Sequence, residues 1–252
     1  MINIKTKEGI KIMSEGGKIL ADVLFEVLKS ARIGVSELEL DKLAEKLIIE
    51  KGGEPGFKKV DGYKHTICIS TNEVVVHGIP TNYRLKEGDV VGIDCGVFYK
   101  GFHTDMAQTV RVGDNNSPEV DKFLKTGEKA MWDGIKTVKE GQRVGNISKA
   151  IQETVEKQGY SVVRSLIGHG VGRELHEEPE IPGFLDKPIS KTPLLKQGMT
   201  IAIEVIYNMG KSDVVYSGDD GWTIKTKDGS LSGLFERTIV VTPKGWEVLT
   251  QK

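Results

Sequence analysis

The chain has 252 residues, enough for one sizeable core and short for two independent domains. Charged residues make up 28% of it and the formal net charge is −1, with no long basic run, which argues against nucleic acid as a direct partner. The opening M-I-N-I-K-T-K-E-G-I has no apolar signal core, and no apolar run approaches a membrane span, so a cytoplasmic chain without a membrane partner is expected. Cys68 and Cys95 lie far apart with no C-x-x-C spacing, and read as free thiols in a reducing compartment.

In chain order, Met13, Gly17, Leu20, Leu24, Val27 and Ala31 recur at steps of four and three, which predicts a long amphipathic helix. Ser36 and Glu39 have the spacing of a capping box for a second helix. That helix should bury Leu40, Leu43, Leu47 and Ile48 and stop at Gly52-Gly53. His77 closes the apolar run V-V-V just before a turn. The run V-V-G-I-D-C-G-V-F carries Asp94, and Lys100-Gly101 reads as a hairpin tip leading to Asp105. Residues 114–117 form a loop, and Ser117-Pro118 reads as an N-cap followed by proline in the first helical position.

The third helix takes its stripe from Phe123, Leu124, Met131, Ile135 and Val138, and the fourth from Ile147, Ala150, Ile151, Thr154 and Val155. His169 lies in the glycine-rich I-G-H-G-V-G, where glycines let backbone approach a ligand closely. His176 follows in L-H-E-E-P, not at the four-residue spacing of a zinc-protease helix. Glu177 and Glu178 are expected to be solvated, and His65 and His103 to be structural or exposed.

The stretch L-K-E-G-D-V-V-G-I-D from Leu85 resembles L-K-Q-G-M-T-I-A-I-E from Leu195, with Leu, Lys, Gly and Ile in register. The last aligned pair is Asp94 with Glu204. Each half reads as two helices followed by strands, so a duplication is expected, with halves at about residues 1–116 and 117–252 in one domain. A pseudo-two-fold would set Asp94 and Glu204 on opposite sides of one central site. The fold class is α/β, or α+β with helices covering a curved antiparallel sheet.

Asp94, Glu204 and Glu236 each interrupt a run that otherwise reads as a buried strand. A buried carboxylate is costly unless paired. One such acid could meet an Arg or Lys. Four acids with one histidine, and little basic residue interleaved, point to divalent metal, and the oxygen-rich set with one imidazole suits Mn, Fe, Co or Zn in a two-metal hydrolase. Taken singly the signals are weak: Asp94 and Asp105 could be a buried acid and a turn acid, and a lone His among glycines is more often structural.

The segments C-I-S-T-N-E-V-V-V-H-G-I-P from Cys68, G-D-V-V-G-I-D-C-G from Gly88 and G-F-H-T-D from Gly101 carry a resemblance over nearly the whole chain. G-H-G-V-G-R-E-L-H-E-E-P from Gly168, I-E-V from Ile203 and F-E-R-T-I-V-V-T from Phe235 extend it. The chain resembles the bacterial-type, type-1 methionine aminopeptidases, which have the pita-bread fold. The resemblance implies an enzyme that removes the N-terminal methionine of nascent proteins when the second residue is small, with a hydroxide held by two divalent ions.

It further implies that Asp105 and Glu236 bridge the two ions, that Asp94 completes one shell, and that His169 and Glu204 complete the other. Glu204 would be general base, His176 would face the scissile carbonyl, and His77 would contact substrate. Tyr63, Cys68, His77 and Trp222 would form the methionine pocket, and a monovalent cation would sit on backbone oxygens near Asn72, Val74 and Ser232. Val60 and Leu175 depart from the aromatic residues expected in that pocket. A monomer acting on nascent chains, in the neighbourhood of the ribosome, is expected. By the family's rule Met1, followed by Ile2, should stay on the chain. The rivals are an X-Pro aminopeptidase or prolidase of the same fold, and a metal-free peptide-binding module.

Overall fold

In the computed structural model, residues 2–217 and 220–251 are described. Met1, whose retention is expected from the sequence, lies outside them. The first half folds as α1 (Lys7–Ser30), α2 (Glu37–Glu50), β1 (Glu54–Pro55), β2 (Ile67–Thr71), β3 (Val74–Val76), β4 (Val90–Tyr99) and β5 (Phe102–Arg111). The second half opens with α3 (Pro118–Lys136), α4 (Val144–Glu156), β6 (Ser161–Val162), β7 (Gly168–Gly170) and β8 (Glu177–Ile181). It continues with β9 (Thr200–Asn208), β10 (Val214–Tyr216), β11 (Ile224–Thr226), β12 (Ser232–Thr242) and β13 (Gly245–Val248).

The helices begin where the sequence says they should. Thr6 caps α1 by accepting from the Gly9 N–H, and Ser36 and Glu39 complete the expected capping box on α2. At α3 Pro118 occupies the first turn, but the Ser117 side chain makes no capping bond. The predicted stripes are buried along their centres, while Leu43, Leu47, Leu124, Ala150 and Thr154 lie half-buried at the margins.

The main sheet is antiparallel in the order β1-β4-β5-β12-β9-β7-β8, with β2 added on β4, β6 on β9 and β13 on β12. Strand alternation decides what each face holds. Val91, Ile93, Cys95 and Val97 of β4 pack into the core under α1 and α2, which leaves Asp94 on the other face. Ile201, Ile203, Val205 and Tyr207 of β9 pack with α3 and α4, which leaves Glu204 on the other face. Phe235, Ile239 and Val241 do the same for β12 and Glu236. The helices therefore cover one side of the sheet, and the acids collect on the side they leave open. The small sheet β10-β11-β3 packs there through Val75, Val76 and Ile224 against Ala107, Ile206 and Leu234.

The duplication is visible in hydrogen bonds. The Leu85 N–H donates to Val35 O at 2.9 Å, and the Gly34 N–H donates to Leu85 O at 2.8 Å. Their counterparts are Leu195 N–H to Gln142 O at 2.8 Å and Gly141 N–H to Leu195 O at 3.0 Å. Gly88 and Gly198 then turn the chain into β4 and β9 with φ of 87° and 83°. Asp94 lies opposite Ala107, Glu204 lies opposite Glu236, and Ala107 lies opposite Glu236. The two-fold thus relates Asp94 to Glu204, but it relates Glu236 to Ala107. Asp105 shares a strand face with Ala107, two residues away, and has no acidic counterpart in the repeat.

Candidate metal centre and substrate cavity

Asp94, Asp105, His169, Glu204 and Glu236 all line one cavity of about 510 Å³. Asp105, His169 and Glu236 are the tightest group, with one ligand-type atom from each lying within 4.8 Å of the others. His169 Nε2 lies 3.9 Å from Asp105 Oδ2 and 4.0 Å from Glu236 Oε1. Those gaps are too long for hydrogen bonds, yet an ion with bonds of about 2 Å to each ligand spans them. The His169 Nδ1–H donates to Gly170 O at 2.8 Å, the arrangement that leaves the Nε2 lone pair directed inward.

The glycines beside His169 also serve backbone packing, and Gly168 lines the cavity. A Cβ on Gly168 would meet Ala202 O at 2.6 Å, and one on Gly170 would meet Glu178 O at 2.3 Å. They allow β8 and β9 to close on β7 and carry His169 over the acids.

Among the described residues no Lys or Arg side chain forms an ion pair with these acids, and Arg237 lowers the pKa of Glu236 only through its charge. Asp94 Oδ1 and Glu236 Oε1 are buried without a hydrogen-bond partner. Burial, reinforced by Asp105's charge, pushes Glu204 up to about 8, and burial pushes Asp105 up to about 7. Asp94 and Glu236 are pushed well above the carboxylate range by burial and then by neighbouring acids. His169 is held down at about 4, first by burial and then by His176. Arg237, the adjacent buried cation, points elsewhere and donates to Ala107 O, Glu236 O and Gln108 Oε1. Orphaned carboxylate oxygens, four acids and one neutral imidazole fit divalent cations.

Protein stripped of metal should therefore lose stability as pH rises. An acid with a raised folded pKa keeps a proton that the unfolded chain has released, so stability falls until the folded pKa is passed. His169, buried neutral, works in the opposite direction up to its unfolded value near 6.5. Between about pH 6.5 and 8 only the acid effect remains, and one proton over that interval is worth about 2 kcal/mol. Melting curves should show Tm falling across this window for stripped protein and holding level once metal is added. A flat Tm for stripped protein would mean that the acids ionise normally.

One end of the cavity is apolar. Phe57, Tyr63, Cys68 and Leu175 form a buried cluster, flanked by Val60 and Trp222. Tyr63 meets Trp222 edge to face at 5.1 Å and donates from its hydroxyl to Ile67 O at 2.8 Å. Cys68 pairs across β2–β4 with Asp94, so the pocket floor adjoins the acids. Burial, with Asp94 nearby, pushes the Cys68 thiol up and keeps it a neutral, polarisable surface. Val60 and Leu175 fill the cluster where aromatics were expected.

His77 and His176 line the same cavity. His77 sits at φ 55°, a left-handed conformation worth on the order of 1–3 kcal/mol of strain in a non-glycine residue. His176 meets the His169 ring edge to face at 4.5 Å. Burial lowers both pKa values, and His176 adds to the lowering at His77. Asn72 and Ser232 are also brought together, with the Ser232 N–H donating to Asn72 O at 2.9 Å, and Val74 begins β3 beside them.

Two features escaped the sequence reading, and one open expectation is resolved. Glu177 is not solvated: it forms a buried ion pair with Lys5, which ties the N-terminal segment to the His176 loop. His103, expected to be structural or exposed, takes the structural role, buried against Phe98 with ring centroids 4.8 Å apart. Thr238 brackets Asp105, donating to its carbonyl at 2.8 Å and accepting from its N–H at 2.9 Å.

An acid-rich centre on the open face of a pita-bread sheet defines a metallopeptidase. The chain belongs to metallopeptidase family M24, whose family model matches residues 11–243. The methionine aminopeptidase of Clostridium perfringens is 44% identical over 250 residues, covering 99% of each chain. Methionine aminopeptidase 1 of Bacillus subtilis is 43% identical over 251 residues, covering 100% of both. The crystal structure of a Thermotoga maritima methionine aminopeptidase superposes with a TM-score of 0.96 at 40% identity, covering 100% of both chains. The prolidase of Pyrococcus furiosus superposes at 0.77 with 25% identity, over 99% of this chain but 65% of the prolidase. Within the M24 family, the chain belongs with the methionine aminopeptidases.

Proposed function

We propose that this enzyme removes the N-terminal methionine from proteins whose second residue is small. The observation that carries the reading is one cavity with five ligand-type side chains beside an apolar end built from Phe57, Tyr63, Cys68 and Leu175. Two divalent ions, from among Mn, Fe, Co and Zn, would be held by Asp94, Asp105, His169, Glu204 and Glu236, and would supply Lewis acidity and a water molecule of lowered pKa.

The chain's own residues do the rest. The apolar end takes the methionine side chain, and the Cys68 sulfur faces its thioether. Glu204 takes the proton of the attacking water and delivers it to the leaving amine. His176 donates a hydrogen bond to the oxygen of the scissile carbonyl as negative charge develops there. His77, held in its strained conformation, positions the substrate backbone. A monovalent cation on the oxygens of Asn72, Val74 and Ser232 belongs to the same proposal, and it would brace the junction of β3 and β12. The reading extends to a cytoplasmic monomer acting on nascent chains at the ribosome.

The test uses metal-stripped protein reloaded with Mn, Fe, Co or Zn. Release of the first residue is followed from peptides headed Met-Gly, Met-Leu and Ala-Pro. Metal-dependent release from Met-Gly alone is expected. Cleavage of Ala-Pro would move the chain to the proline-directed relatives, and silence under every metal would favour a peptide-binding module.

A further inference from the structure

The catalytic cavity has a second apolar end. Val76, Leu166, Ile206 and Leu234 line it and pack in a cluster separate from that of Tyr63. On the reading above, the methionine side chain occupies the Tyr63 end, and the apolar lining at Leu166 offers the rest of the substrate a way out. Leu166 is also a wall of another cleft of about 510 Å³, which lies between residues 164–166 and the β10–β11 ribbon. The two spaces therefore adjoin at one side chain.

The ribbon shows what the cleft is built to hold. Val214 lies opposite Thr226 and Tyr216 opposite Ile224, so these four side chains share one face. Ile224 and Thr226 are buried on that face, at 6% and 4% exposure. Tyr216 belongs to the same inward face yet is 72% exposed. A large aromatic left uncovered on the core-facing side of an edge strand offers apolar surface to the cleft it lines. β10 is also the terminal strand of its sheet, so its outward backbone groups suit an extended peptide.

The cleft has no strong charge preference. Arg164 and Asp213 both line it, and Arg164 is engaged by Glu156 at 3.5 Å and by the Phe184 ring at 5.5 Å. Recognition there is apolar.

We propose that this cleft is a distal substrate subsite, which binds an apolar side chain in the residues after the second of an extended polypeptide substrate. Short substrates then use only the catalytic cavity, while longer chains with an apolar residue gain affinity from Tyr216 and Val214.

The experiment compares Met-Gly-Gly, Met-Gly-Gly-Ser-Ser-Gly and Met-Gly-Gly-Leu-Phe-Gly with the metal-loaded enzyme. The Leu-Phe peptide is expected to have a KM about tenfold below the other two, with similar kcat, as for binding energy gained equally in ground and transition states. Tyr216→Ser should remove that advantage and leave Met-Gly-Gly kinetics unchanged, and Tyr216→Phe should keep the advantage. Because Tyr216 is exposed, neither change threatens the fold. Equal kcat/KM for all three peptides, or an advantage that survives Tyr216→Ser, overturns the subsite while leaving the aminopeptidase reading intact. No methionine release from Met-Gly-Gly would remove that reading, and the subsite with it.

Discussion

Glu204→Gln is expected to lower kcat by roughly 10²–10⁴-fold, the range lost with a general acid–base group. The substitution keeps the shape of a side chain set in the buried run of β9 opposite Glu236. Packing is preserved, and what goes is the ability to take a proton. Two side effects separate this loss from unfolding. Glu204 is pushed up to about 8 by burial and then by the charge of Asp105. Replacing it with a neutral amide removes part of the acid crowding, so metal-stripped Glu204→Gln should melt above stripped wild type at about pH 8. Metal affinity should fall, since one carboxylate ligand becomes a neutral amide. Turnover must therefore be measured at saturating metal, with bound metal counted directly. Activity within tenfold of wild type under those conditions would reduce Glu204 to a ligand and move the base elsewhere.

The acids were legible in the sequence for a definite reason. A strand alternates its faces, so a lone carboxylate at Asp94, Glu204 or Glu236 interrupts a run whose odd-numbered neighbours build the helix-facing core. The repeat was legible because Leu85 and Leu195 make matched backbone bonds at the same point of each half. What the repeat could not convey is that the two-fold carries Glu236 onto Ala107, so Asp105 had to be found separately, on the same strand face. Lys5 and Glu177 stayed hidden because 172 residues separate them, and no local pattern marks a long-range ion pair. Glu177 looked solvated in L-H-E-E-P because charged residues are almost never buried unless paired, and the partner lay at the other end of the chain. The glycines around His169 have a second task that the motif does not display. Their lack of a side chain answers to the Ala202 and Glu178 carbonyls, a constraint that only the packed sheet reveals.

The lesson about partners bears directly on His176, whose role rests on separating a donor from a ligand. His176→Ala is expected to lower kcat by about 10²–10³-fold, roughly 3 kcal/mol, as when an oxyanion donor is removed. KM and bound metal should change little. His169 is the imidazole whose Nε2 faces Asp105 and Glu236, and its orientation is fixed by its own bond to Gly170 O. His176 touches the His169 ring only edge to face, at 4.5 Å. Burial holds its pKa down, so near neutral pH it is an uncharged donor that adds no positive charge beside bound cations. The ion pair of Lys5 with Glu177 anchors the loop one residue away, so the backbone should hold its place when the ring is removed. His176→Asn restores an N–H donor on a shorter side chain and should recover part of the lost kcat without altering metal content. Loss of metal from His176→Ala would show that this imidazole is itself a ligand. An unchanged kcat would show that the carbonyl oxygen is stabilised by another group.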